Sequence, residues 1–347
     1  MKVVMDEKIP YLAEALQGLG FNVVSMPGVD IDKHALAGAE ALFVRTRTKC
    51  NAALLEGTSV RFIGTATIGY DHIDTLYCES NGIKWTNAAG CNAGAVLQYV
   101  QSVIYSCFES LDGLCLGVVG VGEIGSRVAR WAEWAGMSVL RNDPPRAVKG
   151  EQGFVELDEL AAKCDIITFH PTLERSGAFP SYHLADEEFF SALERCRLFI
   201  NASRGPVVDN EALLAAMESG KVQNVALDVW EGEPNINLSL LNKVDIATPH
   251  IAGYSAEGKL NATTIVLAGF LKFCGRENDM PQLSLPQPVN PTVVAATERE
   301  ALLSIYSPYD DTRCLKSVPA EFENLRNNYN LRREPSAFNV KYSAKKE

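Results

Sequence analysis

The sequence lacks the cysteine pattern of a metal site or a disulfide framework. Its nine cysteines include no CxxC pair and follow no regular spacing. An odd number of scattered cysteines in a chain of 347 residues indicates reduced thiols, the state that the cytoplasm maintains. Because no cluster with ligand spacing occurs, we expect no bound metal.

Long apolar runs are absent as well. No stretch approaches the roughly 18 consecutive apolar residues of a membrane helix. The first residues, MKVVMDEKIPYLAEAL, show no long hydrophobic segment followed by a small-residue cleavage site. We therefore expect a cytoplasmic protein without a membrane-spanning segment.

The sequence has fewer basic than acidic residues, with 32 Lys and Arg against 43 Asp and Glu, and its net charge is −11. A nucleic-acid surface needs clustered Lys and Arg, so we expect no nucleic-acid partner. A local basic pocket can still lie within an acidic protein, and an anionic substrate therefore agrees with this charge.

The order of apolar segments indicates an α/β protein. Short apolar strands separated by helical segments predict parallel βαβ units. Helices are predicted at 10–20 and 51–57. The predicted strands of the first hundred residues are KVVMD (2–6), NVVSM (22–26), ALFVR (41–45), RFIGTA (61–66) and KWTNA (84–88).

The chain is longer than an ordinary single domain, and we predict two Rossmann-like parallel-sheet domains with a cleft between them, plus a small C-terminal region. A helix from Ala93 to about Leu111 opens the second α/β series, and a helix at 255–275 returns to the first domain. The predicted domains are a flavodoxin-like domain (1–92 with 255–278), a Rossmann domain (93–254) and a C-terminal region or arm (279–347). This last region is proline-rich and then polar, so we expect it to dock on a partner or to be partly disordered.

A glycine-rich turn, GVVGVGEIG (117–125), lies between a predicted strand and a predicted helix. Gly120 permits the tight turn, Gly122 lets backbone N–H groups approach a pyrophosphate, and Gly125 lets the helix pack on the strand. The helix N-terminus adds a partial positive charge for the phosphates. This pattern predicts a dinucleotide site, with further contacts from Glu123 and Ile124.

Asp143 ends the next strand, about twenty residues after the turn, where an acceptor for a ribose 2′-hydroxyl is expected. An acidic residue at this place favours NAD over NADP, although the nearby Arg146 leaves NADP open. The alternative is that Asp143 is only a turn residue before Pro144 and Pro145. We predict NAD as the cofactor.

Three later segments each hold one reactive side chain at the end of an apolar run: Arg204 in INASRGPVVDN, Glu233 in LDVWEGEP and His250 in IATPHIAGY. A histidine can accept the proton of an alcohol near neutral pH, and a neighbouring glutamate can orient its ring. An arginine can bind a carboxylate through two hydrogen bonds. The three together predict oxidation of a 2-hydroxy acid by hydride transfer.

Simpler interpretations of these residues stay open. Arg204 could form a surface ion pair, Glu233 could be a turn residue, and His250 could be an ordinary loop histidine. For the other histidines, we expect a structural role for His170 and a helix-start cap, rather than a metal ligand, at His72.

The chain resembles the D-2-hydroxyacid dehydrogenase family over about residues 1–275. The resemblance is carried by several long segments in the family's order: DEKIPY (6–11), VRTRTK (44–49), GTATIGYDHID (64–74), GCNAGAV (90–96), NDPPR (142–146), DVWEGEP (228–234) and TPHIAGYSAEGK (248–259). It implies an NAD-dependent oxidoreductase that acts on a small phosphorylated hydroxy acid and forms a homodimer.

The resemblance also implies roles for individual residues. Arg204 and Glu233 would be active-site residues, and His250 would be the proton donor and acceptor. The implied cofactor contacts are Asp143, Asp228 and Gly253, and the implied substrate contacts are Thr46, Thr67 and Tyr254. Thr46 lies among Arg45, Arg47 and Lys49, a basic segment that could bind a phosphate or could be a solvated loop.

The chain departs from the family in two places. It reads HPTL (170–173) where family members usually have H-T-P-L or H-V-P-L, and Thr172 is assigned the cofactor contact there. The C-terminal region, which the family uses for dimerisation, matches poorly beyond AEFENLRNNYNLRRE (320–334). Two other functions remain open: another D-2-hydroxyacid dehydrogenase, such as one for phosphoglycerate, and a non-enzymatic NAD-sensing corepressor.

Overall fold

The computed structural model describes residues 1–343, and contacts divide the chain into two compact units. Unit 1 comprises Met1–Asn92 and Ser255–Gln287, and unit 2 comprises Ala93–Tyr254 and the chain from Pro288 onward. Each unit is built on its own parallel sheet. The α/β fold class predicted from the strand and helix pattern is confirmed.

Unit 1 contains a five-stranded sheet of order β2-β1-β3-β4-β5, in which every pair is parallel. Its five strands end within two residues of the predicted bounds. The elements are β1 (Lys2–Asp6), α1 (Leu12–Gly18), β2 (Asn22–Met26), β3 (Ala39–Val44), α2 (Ala52–Leu55), β4 (Phe62–Thr65), α3 (Thr75–Ser80) and β5 (Lys84–Asn87).

Unit 2 contains a six-stranded parallel sheet of order β11-β10-β9-β8-β6-β7. Its elements are α4 (Ala93–Cys107), β6 (Cys115–Val119), α5 (Glu123–Trp134), β7 (Ser138–Asn142), α6 (Pro144–Val148), α7 (Leu157–Lys163), β8 (Ile166–Phe169), α8 (Glu187–Ser191), β9 (Leu198–Asn201), α9 (Asn210–Glu218), β10 (Asn224–Leu227), α10 (Leu238–Lys243) and β11 (Ile246–Ala247). The chain leaves β6 toward β7 on one side and then returns to β8 on the other. Ligands of open α/β sheets bind at such a reversal, beyond the carboxyl ends of the strands.

The helix that follows β11 belongs to unit 1. This helix, α11 (Ala256–Phe273), packs on β4 and β5. Its Phe270 contacts Phe43 and Phe62 with ring centroids 5.3 Å apart in both pairs. These contacts place α11 in the core of unit 1.

The C-terminal residues pack on unit 2. They form β12 (Thr292–Ala295), α12 (Glu298–Ile305), α13 (Pro308–Ser317), α14 (Phe322–Asn327) and β13 (Asn339–Tyr342), with β12 and β13 paired in parallel. Helix α12 lies on α4, and α13 lies on β11. Leu315 and Phe322 are buried in the main core of this unit. The sequence predicted docking on a partner or partial disorder, whereas these apolar side chains find their core within the same chain.

Short 3-10 turns complete the fold at Gly28–Asp30, Gly205–Val207, Glu277–Asp279, Pro319–Glu321 and Pro335–Ala337.

None of the helices in residues 1–343 has the length and apolar content that a bilayer crossing requires. All nine cysteines are free thiols.

Candidate active site and cofactor pocket

The glycine turn connects β6 to α5 in unit 2, as the sequence predicted. Gly120 has a φ of +82°, and a Cβ there would lie 2.5 Å from the backbone nitrogen of Pro171. A Cβ on Gly125 would overlap the carbonyl oxygen of Gly120. A Cβ on Gly122 would meet no atom within 4 Å. Two glycines are therefore required by packing, and the third leaves open space where a ligand can approach the backbone.

A cavity of about 500 Å³ lies beside this turn, at the carboxyl ends of β6, β7 and β8. Gly120, Gly122 and Asp143 form one part of its wall, and the segment from His170 to Thr172 forms another. Its position at the strand-order reversal, together with the open space at Gly122, fits the binding of a dinucleotide. The residues present therefore suit NAD.

The Asp143 carboxylate links the glycine turn to the start of α6 by hydrogen bonds. Oδ2 accepts a hydrogen bond from the N–H of Val121 in the glycine turn at 2.8 Å, and Oδ1 accepts one from the N–H of Arg146 at 3.1 Å, which caps α6. Arg146 pairs with Glu151 and also donates to the Val121 carbonyl. These contacts engage the Arg146 guanidinium, and the contact of Asp143 with a ribose hydroxyl stays a prediction.

The HPTL segment forms the facing wall of the cavity. Thr172 is exposed there and lines the cavity, and its contact with the cofactor stays a prediction. His170 Nε2 lies 3.0 Å from Thr168 Oγ1, and its buried Nδ1 has no hydrogen-bond partner among the described residues. Burial lowers the pKa of His170 to about 3, so the ring is neutral at physiological pH.

Glu233 and His250 form a hydrogen-bonded pair in unit 2. His250 Nδ1 lies 2.8 Å from Glu233 Oε2, and Glu233 Oε1 accepts the N–H of Trp230 at 2.8 Å. Because a carboxylate only accepts, Nδ1 carries the proton, and Nε2 is the nitrogen left for a substrate. The two side chains are 25% and 19% exposed, so the pair is partly open to solvent.

Arg204 reaches the same edge of the sheet. It follows β9, Glu233 follows β10 and His250 follows β11, and these three strands are neighbours. The Arg204 side chain is exposed, and its Nη1 donates to the Ser203 carbonyl at 2.8 Å. A Cβ on Gly205 would overlap the Trp230 carbonyl, so the turn after Arg204 packs directly on the segment that leads to Glu233. The structure thus brings the trio to one strand edge.

Asp228 accepts the N–H of His250 at its backbone carbonyl and is almost fully buried, with 1% of its surface exposed. Its Oδ1 accepts from Thr248 Oγ1 and from the N–H of Ile251, both at 2.7 Å, and its Oδ2 accepts from the N–H of Ala252 at 2.9 Å. Burial raises the pKa of Asp228, while the nearby His250 and these hydrogen bonds act to lower it. Its carboxylate therefore shapes the backbone around His250, and its predicted contact with the cofactor stays a prediction.

Gly253 and Tyr254 follow in the same segment, and Tyr254 meets the C-terminal residues. The Tyr254 hydroxyl accepts from Arg326 Nε at 3.3 Å, and its ring lies edge-on to Tyr329 with centroids 6.3 Å apart. These C-terminal contacts were not predictable from any motif.

The predicted substrate residues of unit 1 lie after neighbouring strands. Thr46 follows β3 and is exposed, and Thr67 follows β4. Thr67 Oγ1 donates to the Gly69 carbonyl at 2.8 Å and lies 2.7 Å from Thr65 Oγ1. Thr65 Oγ1 in turn lies 2.9 Å from His72 Nε2.

His72 was expected at the start of a helix as its cap, but Asp74 fills that role by accepting the N–H of Tyr77 at 2.9 Å. Burial lowers the pKa of His72. The link from His72 to Thr67 through Thr65 was not predictable from the sequence, because only the turn after β4 creates it. Within residues 1–343, no group of three or more His, Cys, Asp or Glu side chains is arranged to hold a metal ion.

Comparison with known proteins agrees with this geometry. The family model described as "D-isomer specific 2-hydroxyacid dehydrogenase, NAD binding domain" matches residues 98–252. Curated proteins named erythronate-4-phosphate dehydrogenase are similar over nearly the whole length. The protein of Bacteroides fragilis is 47% identical over 98% of this chain and 99% of its own, and that of Yersinia enterocolitica is 43% identical over 98% and 94%.

Solved structures show the same fold. The D-lactate dehydrogenase of Aquifex aeolicus, complexed with NAD and lactic acid, has a TM-score of 0.58 and 26% identity, with 81% of this chain and 97% of that chain covered. D-2-hydroxyisocaproate dehydrogenase has a TM-score of 0.67 at 21% identity, over 79% of this chain and 97% of that chain. The protein is therefore an NAD-dependent oxidoreductase acting on a CH–OH group and belongs to the D-isomer specific 2-hydroxyacid dehydrogenase family.

Proposed function

We propose that the protein oxidises 4-phospho-D-erythronate to 2-oxo-3-hydroxy-4-phosphobutanoate, a step in pyridoxal 5′-phosphate biosynthesis. The observation that carries the reaction type is the Glu233–His250 pair at the strand edge shared with Arg204. The choice of substrate is supported by relatives named erythronate-4-phosphate dehydrogenase, at 43–47% identity over nearly the full chain.

NAD, when bound by the glycine turn, the start of α5, Asp143 and Thr172, supplies the acceptor for the hydride from C2 of the substrate. His250 Nε2 accepts the proton of the C2 hydroxyl in the same reaction. Glu233 keeps the proton on Nδ1, fixes the plane of the ring and compensates the positive charge that develops on it. Arg204 binds the substrate carboxylate with its planar guanidinium and thereby orients C2.

The phosphate end of the substrate is assigned to unit 1. Arg45, Arg47 and Lys49 surround Thr46, so this segment concentrates positive charge in a protein of net charge −11. Thr67 would contribute its hydroxyl, which the hydrogen bonds to Gly69 and Thr65 hold in place. Tyr254, in the segment of unit 2 that carries His250, is proposed as a further substrate contact.

Steady-state oxidation of 4-phospho-D-erythronate and of 3-phosphoglycerate, followed by NADH absorbance, tests the substrate. We expect a higher kcat/KM for 4-phospho-D-erythronate, and a higher value for 3-phosphoglycerate would contradict the assignment. The variant H250A is expected to lose about 10²- to 10⁴-fold in kcat while it retains NADH binding, as removal of a general base predicts. A protein that binds NADH but oxidises neither acid would instead match the corepressor alternative.

The assembly is proposed to be a cytoplasmic homodimer formed through the C-terminal residues. The small sheet of β12 and β13 has just two strands in the described chain, so one edge of each strand is unpaired. Val289, Val294 and Tyr342 in and beside these strands are 98%, 69% and 59% exposed. Exposed apolar side chains next to free strand edges are typical of a surface that pairs with a second copy. The nine free thiols support a reducing compartment.

A further inference from the structure

The C-terminal segment Arg326–Glu334 packs against the catalytic loop, which we define as Thr248–Tyr254. Both segments lie in unit 2. The central residue of the contact is Arg332, whose charged side chain is buried, with 8% of the residue exposed. A buried guanidinium is stable only where its donors find partners, so its contacts show what it is there to hold.

Arg332 binds the backbone of the catalytic loop directly. Its Nη1 donates to the Ile251 carbonyl at 2.9 Å, and its Nη2 donates to the Ala252 carbonyl. These are the two residues that follow His250. The planar guanidinium reaches both carbonyls at once, which a single ammonium group cannot do with the same geometry.

Helix α4 and a tyrosine hold the guanidinium in this orientation. Nη2 also donates to the Ala95 carbonyl at 3.0 Å, and Nε donates to Gln98 Oε1 at 3.1 Å. Gln98 is itself 1% exposed and donates to the Arg333 carbonyl at 3.0 Å. The ring of Tyr306 covers the guanidinium, with Cζ 4.4 Å from the ring centroid.

Asp228 holds the same two residues by their other backbone groups. It accepts the N–H groups of Ile251 and Ala252, while Arg332 donates to the carbonyls of the same residues. The N–H of His250 donates to the Asp228 carbonyl at 2.7 Å. The loop backbone is therefore held by an anion through its donors and by a cation through its acceptors.

This double attachment matters because His250 has a left-handed backbone, with a φ of +57°. A non-glycine residue adopts that conformation only where its surroundings enforce it. The direction of the His250 side chain, and hence the place of Nε2, depends on this backbone. Glu233 fixes the ring plane, but it cannot fix the Cα from which the ring projects.

We propose that Arg332 is a positioning residue for the catalytic base, acting through the carbonyls of Ile251 and Ala252. The inference rests on the proposed function in one respect, namely that His250 is the base. It gives the C-terminal segment a role in catalysis within its own chain, in addition to any role in assembly.

The test compares R332K and R332M with R299K in the full-length protein. Arg299 is a matched control, because it also extends from the C-terminal residues to α4, where its Nε donates to the Tyr105 carbonyl at 2.9 Å away from the catalytic loop. For each variant, kcat and the primary deuterium isotope effect are measured with C2-deuterated substrate. The Kd of NADH and the hydrogen exchange of the peptide spanning the catalytic loop are measured in parallel.

We expect R332K and R332M to lose at least about tenfold in kcat, as misplacement of a catalytic group predicts. The isotope effect should rise because the chemical step becomes slower, and the loop should exchange faster. The Kd of NADH should stay within about twofold of the parent, since the cofactor pocket at Gly122 and Asp143 is untouched. R299K should match the parent in all four measurements.

A folded R332K with kcat within about twofold of the parent and unchanged loop exchange would overturn the inference. Should neither Arg332 variant fold, Q98A removes the hydrogen bond to Nε together with the one to the Arg333 carbonyl, and leaves the guanidinium in place. We expect Q98A to lower kcat and speed loop exchange, and parental values would overturn the inference. The assay uses whichever 2-hydroxy acid the protein oxidises, so a wrong substrate does not affect it. Retained turnover in H250A would refute the assignment of His250 as the base. A loss of turnover in H250A without a loss in R332K would refute only the role of Arg332.

Discussion

Glu233 gives the His250 ring both its orientation and a compensating charge. In E233Q the side chain keeps its size and one acceptor oxygen but loses the negative charge. We expect kcat to fall about 10- to 100-fold, because the positive ring formed during proton transfer loses its partner. The Kd of NADH should not change. Steady-state kinetics and fluorescence titration measure the two effects.

Glu231 offers a matched control two residues away. Its carboxylate also meets a histidine, with Oε1 2.7 Å from His183 Nε2, and it accepts the N–H of Asn210 at 3.0 Å. E231Q is expected to keep kcat within about threefold of the parent. Equal losses of kcat in E231Q and E233Q would show that the segment after β10 tolerates a neutral residue at neither position. That result would contradict the special role given to Glu233.

The lowered pKa of His170 predicts that the stability of the folded protein, rather than its catalysis, depends on pH. Its pKa is lowered from 6.5 to about 3 by burial, so between these pH values the unfolded chain binds a proton that the folded protein does not. Stability therefore falls as the pH drops below about 6.5 and stops falling from this cause near pH 3. Between pH 7 and pH 5 the contribution amounts to about 2 kcal/mol.

Urea unfolding of the cofactor-free protein at pH 7 and pH 5 measures this contribution. H170Q should lose about 2 kcal/mol less than the parent between the two pH values. H34Q, which changes an exposed histidine, should behave like the parent. Identical pH dependence in the parent and H170Q would show that His170 takes up its proton in the folded state.

At the scale of the elements, the glycines of the turn serve two different purposes: Gly125 allows α5 to pack on β6, and Gly122 leaves space for a ligand. G125A places a methyl group against the Gly120 carbonyl, so α5 must move away from β6. We expect a loss of about 1–3 kcal/mol in stability, together with weaker NADH binding. G122A meets no atom within 4 Å and has an ordinary negative φ, so its fold should be intact.

We therefore expect a lower melting temperature for G125A than for G122A. Both variants should bind NADH weakly, with at least about a tenfold rise in Kd for G122A. G18A in α1, where a Cβ also meets nothing within 4 Å, is the control for a neutral change. Full NADH affinity in G122A would mean that no cofactor group approaches the backbone at this position.

The elements also show how far the sequence was informative. Strands were predicted to within two residues in unit 1 because apolar runs between turn residues leave few alternatives. The shared strand edge of Arg204, Glu233 and His250 was predictable because a residue after a strand in a parallel sheet must lie at the carboxyl edge, while their catalytic roles stay predictions. The positions of Asp228 and Arg332 around the catalytic loop were not predictable, since hydrogen bonds to backbone groups leave no pattern in the sequence. Helix α1 is shorter than its predicted range because Tyr11 adopts a left-handed conformation at its start.

At the scale of the whole molecule, the C-terminal residues were the least predictable part. Their composition is polar, and only a few side chains such as Leu315 and Phe322 supply apolar contacts with the core of unit 2. Such isolated anchors have no periodicity that would reveal them. The region predicted to be an arm is therefore attached to unit 2 at several points. Its most exposed apolar side chains, Val289, Val294 and Tyr342, lie in and beside the small sheet of β12 and β13.

That surface predicts a homodimer that a single charge can break. Val294 lies on the edge strand β12 and is 69% exposed, so V294E should leave the monomer fold unchanged and place a charge on the proposed contact. We expect the parent to sediment as a dimer at micromolar concentration, and V294E to raise the dimer Kd at least about tenfold. L76E, at an equally exposed apolar residue of α3 in unit 1, should sediment like the parent. A dimer in V294E and a monomer in L76E would place the contact in unit 1, and a monomeric parent would remove the dimer altogether.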